Sequence, residues 1–86
     1  MDNATLNGTS IEERVRKVIA ETFNLSREEA QGDLRMGSPA KWDSLGHMEL
    51  VLKLENEFGL MFPNFVIAEL VSVPAIARAI KETSSS

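Results

Sequence analysis

The sequence predicts an all-α protein, a small bundle of three longer helices plus one short third helix. Three observations carry that expectation. Apolar residues recur with a helical period over three separate stretches. Each stretch opens at a Ser or Asp suited to capping a helix. The one β-branched segment that could form a strand, "NFVIAELVSV" after Pro63, would have nothing to pair with.

Residues 1–9 are expected to be disordered. "SIEERVRKVIAETFN", residues 10–24, reads as the first helix. Ser10 and Glu13 have the spacing of a capping box, and Ile11, Val15, Val18, Ile19 and Thr22 share one face. A long connection follows over residues 24–41, with Gly32, Gly37 and Pro39 in it. "SREE" at Ser26 is a second capping box and starts one short turn of helix. A connection of this length is usually functional or held down by packing, and Leu25, Leu34, Met36 and Trp42 are the residues that could pin it.

Residues 43–58 read as the main helix, with Asp43 as N-cap and Gly59 as the stop. A short helix is expected over about residues 64–70. Ser72 then caps a last helix, with Pro74 tolerated in its first turn. Val73, Ile76, Ala77 and Ile80 make its buried face. From about Thr83 to Ser86 a disordered tail is expected, so the folded domain spans 10–82.

Composition narrows the chemistry. With 43% hydrophobic residues and four phenylalanines, a core is within reach of so short a chain. There is no cysteine, hence no disulfide, zinc–thiolate site or thiol nucleophile of the protein's own. No apolar run approaches the roughly 20 residues of a membrane span. The first ten residues carry only Asp2 as a charge and do not resemble a signal peptide, so a cytoplasmic setting is expected. The net charge of −4 is uneven: residues 43–70 hold five acids against Lys53 alone. That argues against nucleic acid, which needs clustered Lys and Arg. It leaves open basic protein partners or simply a solvated helix surface.

The main helix has more apolar residues than one buried face needs. On a helical wheel, His47, Leu50, Val51, Leu54 and Phe58 form the expected core side. Leu45, Met48 and Leu52 form a second stripe, bordered by Glu49, Glu55 and Asn56. Either the long loop or the short third helix covers it, or it is an exposed docking patch with a carboxylate rim. Ser44 stands beside both stripes in the first turn, where free N–H groups and the helix dipole favour a negative group. A bland helix start would look the same.

"DSLGHMELVLKLENEFG", residues 43–59, resembles the attachment motif and second helix of the acyl carrier protein family. The resemblance runs through "FP", "LVSV" and the last helix and covers about residues 10–82. It implies that Ser44 carries a 4′-phosphopantetheine arm, added through a phosphodiester by a phosphopantetheinyl transferase that uses coenzyme A and Mg²⁺. The absent cysteine fits, since the arm brings its own thiol. Asp43 is implied as cap and transferase-facing carboxylate. Leu45, Met48 and Leu52, with Glu49 and Glu55, match partner-contacting positions. Leu50, Leu54, Phe58, Phe62, Leu70 and Ala77 match positions lining the space where an acyl chain can slip between helices. The implied protein is a monomeric carrier, not an enzyme and not itself a metal site. It would be loaded by an acyl- or aminoacyl-ligase and unloaded by acyl-transfer enzymes, away from membranes.

The sequence departs from the fatty-acid carriers at several points. Gly46 and then His47 follow D-S-L where an acid is usual, Lys53 and Asn56 dilute the acidic face, and Trp42 precedes the motif. Asn64, Phe65, Val66 and Ala68 stand where housekeeping carriers are mostly acidic. These departures suggest a specialised polyketide, peptide or cell-surface modification pathway, with fatty acid biosynthesis as the alternative. An unmodified helical adaptor using only the apolar patch is the rival from another class. A Ser44–His47 hydrolase is a third, but no G-x-S-x-G elbow is present and no orienting carboxylate is evident. His47 is expected at the core edge with its polar tip in water. Trp42 is expected to be packing, or else a shield beside the arm, and Met36, Met48 and Met61 to be fillers.

Overall fold

A computed structural model describes residues 8–85. Helix α1 spans Gly8–Phe23, α2 Arg27–Ala30, α3 Ser44–Phe58, α4 Asn64–Ile67 and α5 Val73–Ser85. The three longer helices are those the periodicity predicts, and the short α4 follows Pro63 as expected. The expectation of disorder over residues 1–7 and at Ser86 lies outside the described residues.

Several boundaries differ. Helix α1 begins at Gly8, so Ser10 is its third residue and not its N-cap. It ends one residue early because Asn24 takes a left-handed φ of 57°, which an asparagine tolerates, and Leu25 N–H closes back on the Ala20 carbonyl. The short α4 stops at Ile67, three residues before the expected end, and Glu69 and Leu70 close turns onto Val66 and Ile67 instead. Thr83 and Ser84, expected in a tail, continue α5.

The capping box at Ser26 is complete: its hydroxyl accepts Glu29 N–H at 3.0 Å and the Glu29 carboxylate accepts Ser26 N–H at 2.8 Å. The other end of this one-turn helix is held from α1, where Arg16 donates to the carbonyls of Ala30 and Gly32. Four residues cannot sustain a helix alone, so α2 depends on its capping box at one end and on Arg16 of α1 at the other.

α1 packs against both α3 and α5. Val15, Val18, Ile19 and Phe23 meet Leu50, Val51 and Leu54 of α3 and Val73, Ile76 and Ile80 of α5 in one core. Each such side chain contributes about 1.5–3 kcal/mol by leaving water. The connection between α1 and α3, which holds α2, is pinned by Leu34 and Trp42, both buried, and less fully by Leu25. The Met36 side chain is exposed and does not pin the loop; its backbone does, with the N–H bonded to the Val71 carbonyl and the loop stitched to the strand-like approach to α5. Met61, expected as a filler, is also exposed.

Candidate functional site

The site is the mouth of α3. Asp43 is the N-cap, and its Oδ1 accepts Gly46 N–H at 2.8 Å. Ser44 is the first helical residue and is exposed. The first intrahelical bond runs from His47 N–H to the Asp43 carbonyl, leaving the N–H groups of Ser44 and Leu45 without a helical partner. The positive end of the helix dipole therefore lies at an accessible hydroxyl.

Beside Ser44 the second stripe is uncovered. Leu45 is 81% exposed, Leu52 65% and Met48 49%. Neither the long connection nor the α4 segment covers them, which removes the packing explanation. Glu49 is exposed on the rim. Glu55 is half-buried and also acts in the fold, where its Oε2 accepts Phe62 N–H at 2.9 Å and fixes the chain entering α4. Of the residues matched to an acyl-chain site, Leu50, Leu54, Phe62, Leu70 and Ala77 are buried and Phe58 is half-buried under the Arg14 guanidinium, 4.3 Å above its ring. Arg14 also pairs with Glu57 at 3.3 Å and so holds the end of α3 against α1.

Under the serine the arrangement corrects one expectation. His47 has no tip in water; it is 6% exposed. Its Nδ1 accepts the indole N–H of Trp42 at 2.9 Å, and its Nε2 lies 2.8 Å from the Ile67 carbonyl. An indole N–H only donates and a carbonyl only accepts, so the neutral ring with hydrogen on Nε2 satisfies both. With both nitrogens committed, His47 has none to offer Ser44 as a base. Trp42 is completely buried, with the rings of Phe23 and His47 close to parallel with its own at centroid distances of 6.0 and 6.2 Å, and so packs rather than shields anything outside.

Gly46 completes the cluster. A Cβ there would overlap the Lys41 carbonyl oxygen and approach Phe23 Cε1 to 2.9 Å. The acid usual at this position has no room. Sequence reasoning flagged Gly46, His47 and Trp42 as departures but did not join them. The spacing of Trp42 and His47, five residues apart on either side of the N-cap turn, was the available signal.

Fold and site together define a small helical protein with an exposed serine at the start of α3 beside an exposed apolar stripe. Among the described residues no helix is long and apolar enough to cross a membrane. No family model matches the chain. Over 76 residues it is 33% identical to the acyl carrier protein of Rickettsia bellii (strain OSU 85-389), covering 88% of this chain and 94% of that relative. The chain belongs to the acyl carrier protein family, and with the family comes a carrier role rather than a catalytic one.

Proposed function

We propose that this protein carries acyl or aminoacyl groups as thioesters on a 4′-phosphopantetheine arm attached to Ser44, in a specialised pathway. The observation that carries the reading is the exposed Ser44 at the start of α3, flanked by an apolar stripe that nothing covers. The group fits the residues present. Its phosphodiester would be an anion next to the unpartnered N–H groups of Ser44 and Leu45. Once bound, the arm supplies the thiol that the chain lacks.

The chain's own residues anchor and address. Asp43 holds the first turn so that Ser44 faces out. Leu45, Met48 and Leu52 offer apolar contact to the transferase and to the loading and unloading enzymes. Glu49 provides the free carboxylate of the rim, and Glu55 keeps α4 in place. Leu50, Leu54, Phe58, Phe62, Leu70 and Ala77 would shelter an aliphatic cargo. The specialised pathway is supported by α4, whose four residues include no acid and whose Phe65 is 76% exposed. A partner reading that helix needs an apolar surface more than a basic one. Fatty acid biosynthesis is the alternative pathway, in the same cytoplasmic setting.

Incubation of the purified protein with coenzyme A, Mg²⁺ and a broadly accepting transferase should add the mass of a single arm. No gain with several transferases would defeat the reading. Intact mass of the protein from its native cell would then weigh arm and cargo together and choose among pathways.

Leu52→Glu should leave the fold unchanged within about 0.5 kcal/mol, since the side chain is mostly in water. It should lower kcat/KM for modification of Ser44 about tenfold by breaking the apolar contact. A normal rate would remove the stripe from the transferase interface. A protein whose cellular role survived Ser44→Ala but not Leu52→Glu would be an adaptor instead.

A further inference from the structure

We infer that His47 is a positioning residue for the loading of Ser44, because it bonds the end of α4 to the residue two places before the serine. The inference rests on Ser44 being the attachment site and adds a residue on the buried side of the same turn.

The ring bridges two separate elements. Nδ1 takes the N–H of Trp42, in the loop entering α3, and Nε2–H reaches the Ile67 carbonyl, the last residue of α4. The plane of the ring is within 14° of the Trp42 plane. It cannot turn without giving up both bonds inside a buried site, where an unmet polar group is costly. Ile67 also accepts Leu70 N–H at 3.2 Å, so the same carbonyl closes the turn leaving α4.

α4 needs such a tie. It has four residues, and Pro63 makes no side-chain cap. Two side chains of α3 hold it from outside, Glu55 at the entry through Phe62 N–H and His47 at the exit through Ile67. On the loop side, the Trp42 carbonyl accepts Gly37 N–H at 2.9 Å, so Trp42 sets the loop as well as the helix start. Displacement of α4 by a partner or cargo pulls on His47 and, through it, on Trp42. An enzyme that grips both sides of Ser44 meets a fixed spacing only while both bonds stand.

Three conservative variants cut the relay one arm at a time. Trp42→Phe removes the indole N–H but keeps an aromatic ring. His47→Asn keeps an acceptor near the Nδ1 position and loses the reach to Ile67. His47→Gln keeps a donor near Nε2 and loses Trp42. Each folded variant is assayed by intact mass with coenzyme A and a transferase, and by amide hydrogen exchange. Every variant should lose about three- to tenfold in kcat/KM, and Trp42→Phe should speed exchange at the distant Leu70 amide. The double variant Trp42→Phe/His47→Asn should be no slower than the slower single, since both cut one relay. Wild-type loading rates in folded variants, or additive losses in the double variant, would overturn the inference and leave the Ser44 reading standing. Failure of the wild-type protein itself to be loaded would overturn both.

Discussion

Ser44→Ala is expected to abolish attachment of the arm completely while leaving the fold as it is. The reaction needs one oxygen. In the proposed loading the Ser44 hydroxyl would give up its proton and bond to phosphorus as the diphosphate bond of coenzyme A breaks and adenosine 3′,5′-bisphosphate leaves, and a methyl group can do neither. The side chain is exposed and caps nothing, since Asp43 is the cap, so the change in stability should stay within about 0.5 kcal/mol. Intact mass after incubation with coenzyme A and transferase checks the first half, and a thermal melt checks the second. An arm gained by the alanine variant would place the attachment elsewhere. Ser38 and Ser72, both bridged to Arg35 in the stitched loops, would be the first to map.

Gly46→Ala is expected to destabilise the protein, against the sign that helix propensity gives. In an unobstructed helix interior the change would stabilise by about 1 kcal/mol. Here the new methyl group would meet the Lys41 carbonyl oxygen and the edge of the Phe23 ring. A flexible side chain could step aside, but Lys41 contributes backbone, and moving it shifts Trp42 and the N-cap. Overpacking of this kind costs about 1–3 kcal/mol and more where backbone must move, so a net loss of about 2 kcal/mol follows. For a domain of this size that lowers Tm by roughly 8–15 °C. A melt at or above the wild-type temperature would show that the loop yields easily and that Gly46 is not what lets it approach α3.

The two variants mark what can be read from the sequence and what cannot. The place of Ser44 in the first turn, the N-cap at Asp43 and the stop at Gly59 follow from local rules, because a cap is made by residues close in the chain; the attachment role of Ser44 comes from the resemblance alone. The two faces of α3 were equally legible, being a matter of angle alone. Whether Leu45, Met48 and Leu52 stay uncovered was not, since that depends on where residues 24–43 and 60–72 come to rest. Those segments are placed by contacts such as Met36 with Val71 and Arg16 with Ala30, between residues far apart in sequence. His47 failed as an expectation for the same reason. Its wheel position puts it at the core edge, and only the arrival of the Ile67 carbonyl from α4 makes it fully buried. The early end of α4 has a similar cause: its residues are finished off by turns and by side chains of α3, not by a periodic pattern of their own.

The only tryptophan in the chain is shut away from water two residues before Ser44, with an imidazole bonded at its N–H edge and a phenyl ring beside it. An indole so enclosed emits at shorter wavelength than one in solvent. The protein thus contains its own fluorescent gauge, two residues from Ser44. Unfolding, or a partner prising that neighbourhood open, can be followed by colour without attaching a dye.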